Sequence, residues 1–304
     1  MNIERRALLG GLLATPALIR AADGGVAPNA APMLPGLTRM PPPPVAVPAP
    51  AVAAAPTPRW QRFAVPAPRH DGRPIITLVI DDMGVMHSYT QRAVALPTPL
   101  TLSWFPFAHN LPEQVGVATE RGHETLLHMP MQAHGNSIAW TGPDPLRIDL
   151  TPAENLRRLV AAIDAVPDTV GLNNHMGSVA TLDTTLMNLV AQEVLRRDML
   201  FLDSLTIGHS VGYREAAQAG VPAAMRDVFL DDTNDAAMIQ GQLELTERIA
   251  SHQGNAIAIG HPRHLTLSAL EAWLPGLAEK GFVLWPLSAT VALRNEIVIP
   301  SITT

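Results

Sequence analysis

The chain has 304 residues, of which 47% are hydrophobic and 4% aromatic, and its formal net charge at pH 7 is -6. This negative charge, with arginine and lysine scattered along the sequence, argues against a nucleic-acid-binding surface and against a basic membrane-binding patch. The chain contains no cysteine, which excludes disulfides, thiolate metal sites, thiol nucleophiles and a lipoprotein anchor. Any metal must therefore be bound by His, Asp, Glu or amide side chains.

Residues 1–22 are typical of an export signal. Arg5-Arg6 precedes an apolar run from Ala7 to Ile19, and small residues follow at Ala21-Ala22. The apolar run is shorter than the roughly 20 residues needed to span a bilayer. The order Arg5-Arg6-Ala7-Leu8-Leu9 resembles a twin-arginine signal, with an ordinary secretory signal or an uncleaved anchor as alternatives. We expect a periplasmic or secreted protein that is not integral to the membrane after signal removal.

Residues 23–73 are predicted to form a mobile linker. Of the 29 prolines in the chain, 13 lie between Pro28 and Pro68. A segment rich in proline and alanine buries little surface and lacks backbone donors, which favours an extended spacer. A proline-rich ligand for a partner protein is the alternative, but no residue other than proline and alanine marks such a partner. The folded domain is predicted over residues 74–298.

From Pro74 onward, short apolar runs alternate with amphipathic segments. The predicted strands are Ile75–Ile80, Leu100–Phe105, Glu124–Met129, Val170–Asn173, Leu200–Asp203, Ala224–Leu230, Ala256–Gly260 and Phe282–Leu287. The predicted helices are Pro152–Ala165, Thr184–Arg197, Asp235–Gln253 and Ser268–Lys280. This alternation predicts an α/β fold with parallel strands. The eight strands favour a distorted (β/α) barrel, with an open doubly wound sheet as the alternative.

Polar residues follow six of these apolar runs. They are Asp81-Asp82, His128, Asn173-Asn174-His175, Asp203, Asp231-Asp232 and His261. Because the carboxyl ends of parallel strands meet on one face, where active sites form, we expect these residues to converge. One carboxylate and two imidazoles are a common donor set for Zn²⁺ or a similar divalent ion. Alternation along the strand predicts that Asp81 and Asp82 point in different directions and have different roles.

Several ordered segments resemble motifs of the polysaccharide deacetylase family. The resemblance is carried by Ile80 to Gly84 (an Asp-Asp-x-Gly motif), Gly122 to His128, and Ala258 to Pro262. Three further segments are similar to the divergent group of that family: His128 to Met131, Gly171 to Ser178, and Phe201 to Ser204. The resemblance covers Ile75 to about Thr290. Two of the six segments meet at His128, so together they make up five ordered motifs, which are far more specific than any one of them.

This resemblance implies a distorted deacetylase-type barrel and a metal-dependent hydrolase that deacylates an N- or O-acetylated carbohydrate of the bacterial envelope. Asp82, His128 and His175 would bind a divalent metal, with Zn²⁺ first and Mn, Co or Ni as alternatives. Asp81 would be the general base and His261 the general acid. A carbohydrate is the implied substrate or ligand, and the sugar, the acyl group and the protein partners are not defined by the sequence.

Two departures from the family pattern affect the site. Deacetylases usually have a second metal-binding histidine four residues after the first, where this chain has Gln132. Their arginine–proline–aromatic third motif is replaced here by Asn173-Asn174-His175. A catalytically silent module that binds a glycan or a protein partner is therefore the alternative hypothesis. Gln132 favours that alternative, whereas the retained strand-end acids and histidines favour an enzyme.

The other candidate residues each have two interpretations. Asp81 and Asp82 could cap a helix, and His128 could be a satisfied core histidine. Residues that could bind substrate or support the metal-binding side chains are Asn173, Asn174, Asp203, Arg226, Asp231 and Gln132. Asp203 and Asp231 could instead cap turns or helices, and Arg226 could pair with a strand-end carboxylate. Aromatic residues that could stack on a sugar or simply pack are Trp104, Phe105, Phe107, Trp140 and Trp285.

Overall fold

The structure, a computed structural model, describes residues 56–135 and 141–298. The predicted export signal, most of the predicted linker and Trp140 lie outside these residues. The strands are β1 (Ile75–Met83), β2 (Thr101–Trp104), β3 (Glu124–Met131), β4 (Gly171–Met176), β5 (Leu200–Asp203), β6 (Ala223–Met225), β7 (Val228–Phe229), β8 (Asn255–Gly260) and β9 (Val283–Leu284). The α-helices are α1 (Arg59–Arg62), α2 (His87–Val94), α3 (Leu111–Glu120), α4 (Pro152–Ala165), α5 (Thr184–Arg196), α6 (Gly212–Gln218), α7 (Ala236–Gln253), α8 (His264–Trp273) and α9 (Leu287–Arg294).

The strands form one parallel sheet in the order β6-β5-β4-β3-β2-β1-β8-β7, and β9 pairs with the start of β1. Helices follow most strands, as parallel pairing requires. β1 is buried along nearly its whole length, which explains its continuous apolar sequence from Ile75 to Ile80. The α/β fold class and the parallel sheet predicted from the sequence are therefore confirmed.

The sheet curls because its two outer strands are consecutive in the chain. Eight strands laid flat would separate β6 from β7 by about 34 Å, at about 4.8 Å per strand. Only Arg226 and Asp227 connect these strands, and three Cα–Cα steps span at most about 11 Å. The edges must therefore approach each other, which gives a distorted barrel and not an open sheet. The single strand predicted over Ala224–Leu230 is wrong, because those residues form both edges of the sheet.

Side chains alternate between the inside of the barrel and the layer under the helices. On β1, Val79 belongs to an inner cluster, whereas Leu78 and Ile80 belong to the outer cluster that packs against helices. The inner cluster is closed at the amino-terminal end of the barrel by residues of α9, including Leu287 and Val291. A chain that alternates in this way places Asp81, the next inward position, at the opposite, open end.

Three helices begin at residues that cap them. Thr151 Oγ1 accepts a hydrogen bond from Glu154 N ahead of α4, and Asp183 and Asp235 cap α5 and α7 in the same way. Gly254, at φ 84°, ends α7 in the left-handed conformation that glycine favours. The predicted bounds of these helices agree with the structure to within one residue. Within residues 56–135 and 141–298, no helix combines the length and the apolar character needed to cross a membrane.

The last part of the predicted linker packs against the domain. Trp60 of α1 is 3% exposed and belongs to the inner cluster, and its backbone N–H donates to Asp198 O (2.9 Å). Arg59 Nε donates to Thr169 O (3.1 Å), and Trp285 Nε1 donates to Pro68 O (2.7 Å). The predicted boundary between linker and folded domain, after residue 73, therefore lies too far along the sequence. Burial of one large aromatic side chain anchors the segment around it.

Candidate active site

The end of β1 contains a bulge that turns two adjacent carboxylates toward one cleft. The register with β2 shifts between Ile80 and Met83, and Asp82 adopts a φ of 56°. An extra residue in a strand re-aims its side chains, and such backbone strain is common at functional sites. As a result, His128 Nε2 lies 3.7 Å from Asp81 Oδ2 and 3.2 Å from Asp82 Oδ1. The expectation that Asp81 and Asp82 point in different directions is wrong, because the bulge interrupts the alternation.

Gly84 explains the glycine of the Asp-Asp-x-Gly motif. Its φ is +97°, and an added Cβ would lie 2.5 Å from the Cβ of Ala108. Its backbone N–H donates to Thr90 Oγ1 (3.1 Å), which ties the turn to α2. A side chain at this position would push the turn outward and displace the neighbouring carboxylates.

Asp82, His128 and His175 bring three donor atoms together. His128 Nε2 and His175 Nδ1 are 3.1 Å apart, and each lies 3.2 Å from Asp82 Oδ1. Asp82 Oδ1 is buried, and apart from the close approach of these two imidazole nitrogens it has no polar partner among the described residues. A buried carboxylate oxygen without a partner is costly, so its position between two imidazole nitrogens requires a compensating group.

The donor triangle fits a divalent metal ion. Donor atoms around a tetrahedral zinc ion, each about 2.0–2.1 Å from the metal, are about 3.3–3.4 Å apart. The observed edges of 3.1 and 3.2 Å are close to that value. Two imidazoles and one carboxylate suit Zn²⁺ and the neighbouring transition metals, and three protein ligands leave room for water or substrate.

The acidic and histidine side chains of the site shift one another's pKa values. Burial alone would raise the pKa of Asp82, but the imidazoles of His128 and His175 hold that pKa well below its ordinary value. Burial also lowers the pKa of His128, yet Asp81 and Asp82 outweigh it and raise the pKa overall. For Asp81, burial dominates and raises the pKa, partly offset by His128, His261 and a hydrogen bond from Asn173. Asp82 is thus ionised, as a metal ligand must be, and Asp81 is the carboxylate better suited to accept a proton.

Asn173 lies beneath the triangle and is fully buried. Its Oδ1 accepts from His128 Nδ1 (2.9 Å) and Ser103 Oγ (2.6 Å). Its Nδ2 donates to Asp81 Oδ1 (2.8 Å) and Ser204 Oγ (3.0 Å). In the neutral imidazole, the hydrogen bond from Nδ1 of His128 leaves Nε2, the nitrogen in the triangle, without a proton and available as a ligand.

His261 follows β8 on the other side of the cleft and is held by Asp231. His261 Nδ1 donates to Asp231 Oδ1 (2.8 Å), while His261 N (2.9 Å) and Thr266 Oγ1 (2.7 Å) donate to Asp231 Oδ2. Burial would lower the pKa of His261, but the carboxylate of Asp231, with Asp82 and Asp81, raises it overall. His261 Nε2 is therefore the nitrogen that can deliver a proton into the cleft.

Two of the predicted supporting residues make their hydrogen bonds to the loops, and one of them, Asn174, also lines the cleft. Asn174 Oδ1 accepts from Ser204 N (2.9 Å) and its Nδ2 donates to Met176 O (2.8 Å). Asp203 accepts from Leu205 N (2.9 Å), Ser210 Oγ (2.7 Å) and Tyr213 N (3.0 Å). Leu202 faces the inside of the barrel, so Asp203 faces the helices and caps the turn into α6.

Arg226 and Gln132 also differ from their predicted roles. Arg226 Nε and Nη2 donate to the carbonyls of Ser204 (2.8 Å) and Leu205 (2.9 Å), so the guanidinium does not pair with a strand-end carboxylate as predicted. Gln132 Oε1 accepts from Ile148 N (2.9 Å), which directs the amide toward that loop and away from the triangle. The third donor comes from His175 on the neighbouring strand.

The triangle and His261 lie in one cleft of about 850 Å³. Its walls include Val85, Phe105, Phe107, Phe229 and Arg263. Phe105 is buried, with its ring centroid 4.7 Å from that of His175, and Phe107 stacks on it at the same distance. These two aromatic residues therefore line the metal side of the cleft, where an acyl group or a sugar ring could pack.

Of the other candidate aromatics, the two within the described residues, Trp104 and Trp285, do not line the cleft. Trp104 is fully buried in the core, and Trp285 packs against His70 and Pro68. Sequence reasoning missed Ser103 and Thr266, which hold the amide of Asn173 and the carboxylate of Asp231. The only signal for Ser103 in the sequence was that it is a polar residue inside an apolar strand. A buried hydroxyl group needs a hydrogen-bond partner in the protein interior.

Comparison with known proteins places this site in a family context. Residues 78–291 match the family model for divergent polysaccharide deacetylases. An uncharacterized protein of Haemophilus influenzae Rd is 35% identical over 225 residues, which is 74% of this chain and 79% of the relative. Uncharacterized protein YibQ of Escherichia coli K12 is 34% identical over 196 residues, covering 64% of this chain and 61% of YibQ, less than two thirds of its length.

A solved structure shows the same fold. The crystal structure of an uncharacterized protein from Agrobacterium tumefaciens C58 matches with a TM-score of 0.73 and 24% sequence identity. The match covers 77% of this chain and 95% of that protein. At this identity the likeness supports the fold alone.

Proposed function

The chain belongs to the divergent polysaccharide deacetylase family, and from this membership and the site geometry we propose that it is a metal-dependent carbohydrate deacetylase of the bacterial envelope. The observation that carries the proposal is the convergence of three elements in one cleft. These are the Asp82–His128–His175 triangle, the buried carboxylate of Asp81, and the imidazole of His261 held by a carboxylate. Each element corresponds to one requirement of amide or ester hydrolysis.

Asp82, His128 and His175 would hold the metal, with Zn²⁺ as first choice and Mn, Co or Ni as alternatives. When bound, such an ion polarises an acyl carbonyl and makes a water molecule more acidic. Phe105 narrows the cleft beside His175 and limits the access of bulk water to that side.

Asp81 and His261 would move the protons. Asp81 Oδ1 is engaged by Asn173, so Oδ2, which faces the triangle, accepts the proton of the attacking water. Attack on the acetyl carbonyl carbon and cleavage of its C–N or C–O bond release acetate. His261 Nε2 supplies the proton that the leaving amine or hydroxyl requires, because its Nδ1 is bound to Asp231.

The envelope location rests on the sequence of residues 1–22 alone. The Arg5-Arg6 pair and the apolar run after it support export, and a periplasmic or secreted carbohydrate is then the accessible substrate. The family name supports carbohydrate as the substrate class, and both N-acetyl amides and O-acetyl esters fit the proposed chemistry.

The first experiment is elemental metal analysis of the full chain purified without chelator, beside Asp82→Ala and His175→Ala. We expect one divalent ion per chain, lost in both variants but kept in Gln132→Ala, whose amide points elsewhere. Acetate release from N-acetylglucosamine oligomers and from O-acetylated sugars should then require the metal. Asp81→Asn should retain the metal and the fold and lose turnover.

A catalytically silent binding module predicts different results. The parent protein would bind no metal after addition of Zn²⁺, Mn²⁺, Co²⁺ or Ni²⁺, and any glycan affinity would be unaffected by EDTA. Full activity of Asp81→Asn would refute the assignment of the base. The orientation of Gln132 supports the enzyme over the silent alternative, because His175 supplies a third donor without it.

A further inference from the structure

The amide of Asn173 uses its full hydrogen-bonding capacity on groups of the site. The residue is 0% exposed, and each of its polar atoms has two partners. One partner, Asp81, is the proposed base, and another, His128, is a proposed metal ligand. A primary amide offers two acceptor positions and two donors, so all four are occupied here.

Asn155 shows what a structural amide outside the cleft does. It is 3% exposed, and both of its hydrogen bonds go to backbone groups: Oδ1 accepts from Arg147 N (3.0 Å) and Nδ2 donates to Arg147 O (2.8 Å). These contacts hold the chain that leads into α4. Asn173 therefore differs from Asn155 in the identity of its partners and not in the extent of its burial.

We propose that Asn173 is a positioning residue that links the base to the metal site, an inference that rests on the proposed function. Through Oδ1 it selects the His128 tautomer that presents Nε2 to the metal, and through Nδ2 it orients Asp81 so that Oδ2 faces the attacking water. An amide suits both tasks because it presents an acceptor and a donor in one rigid plane. An ionised carboxylate has no donor, an aliphatic side chain has neither group, and a neutral imidazole offers one donor and one acceptor for the four partners present here.

The two tasks are separable by substitution. Asn173→Ala removes both, whereas Asn173→Asp keeps an acceptor for His128 and nearly the same volume but loses the donor to Asp81. We expect the Kd for Zn²⁺, measured by titration of the chelator-stripped full chain, to rise about 10- to 100-fold in Asn173→Ala. It should change less than about threefold in Asn173→Asp and in the buried-amide control Asn155→Ala.

The variants should rank differently by kcat than by their Kd for Zn²⁺. At saturating Zn²⁺, both Asn173 variants should lose at least about tenfold in kcat for deacetylation, with KM within about threefold, because the base is misoriented while substrate binding remains. Asn155→Ala should keep kcat within about threefold. A general structural role would instead lower kcat and thermal stability to similar extents in Asn173→Ala and Asn155→Ala.

The outcomes separate this inference from the proposed function. Wild-type Kd and kcat in Asn173→Ala would overturn the inference and leave the deacetylase proposal intact. Loss of Zn²⁺ binding in Asn173→Asp, with its far-UV spectrum unchanged, would refute the division of labour between Oδ1 and Nδ2. A parent protein without metal binding or acetate release would refute both proposals. If Asn173→Ala does not fold, Asn173→Asp alone decides.

Discussion

Replacement of Asp231 by asparagine should shift the pH range in which the site is active. The carboxylate accepts the N–H of His261 Nδ1 at 2.8 Å and is itself fully buried. A hydrogen bond to a charged group contributes about 1.5–3 kcal/mol. Loss of the charge removes this stabilisation of the protonated imidazole and should therefore lower the pKa of His261. The amide conserves the volume and keeps one oxygen for Thr266 and the backbone.

The effect has a defined direction. Because the folded-state pKa of His261 is raised, its proton is present at low pH and is lost as the pH rises through that value. The alkaline limb of kcat/KM should thus move to lower pH in Asp231→Asn, while the acid limb stays in place. The stability contributed by protonated His261 is also lost as the pH rises through the same folded-state pKa. An alkaline limb identical to that of the parent enzyme would refute the role of His261 as the general acid.

Further predictions concern the turn, the anchored segment and Gln132. Gly84→Ala should lower the free energy of unfolding, measured in urea, by about 2 kcal/mol or more, because the new Cβ meets Ala108 at a residue with positive φ. The control Gly241→Ala, at an exposed position of α7, should raise it by about 0.5–1 kcal/mol. Equal effects of the two substitutions would contradict the proposed strain at Gly84. Trp60→Ala should lower the unfolding free energy by about 3–5 kcal/mol, since the side chain is 3% exposed. A loss below 1 kcal/mol would mean that the segment is not anchored. Gln132→Ala should leave the Kd for Zn²⁺ within about threefold, and a larger rise would show that the amide is a ligand.

The convergence of the site was predictable because it follows from strand direction alone. Parallel strands bring their carboxyl ends together, so Asp81, His128, His175 and His261 had to lie on one face. Strand alternation also decides which polar residues enter the cleft. Asp203 follows inward-facing Leu202 and therefore points to the helices, so its capping role was open to prediction from the apolar pattern.

Other features depend on tertiary structure that one sequence does not encode locally. The bulge at Asp82 adds one residue to β1 and interrupts the regular alternation of its side chains. No residue before Asp82 indicates that this extra residue is present. The division of one apolar run into β6 and β7 depends on closure of the whole sheet. The network around Asn173 joins residues from β1, β2, β3 and β4, so its membership depends on the strand order.

The central position of β1 governs when the fold can be completed. β1 pairs on one side with β2, about 20 residues onward, but on the other with β8, whose Asn255 lies opposite Ile75. Chain closure over such a separation makes folding slow, and until β8 arrives the apolar edge of β1 is exposed to pairing with other chains. Partially synthesised or truncated chains that end before β8 should therefore aggregate, although they already contain Asp82, His128 and His175.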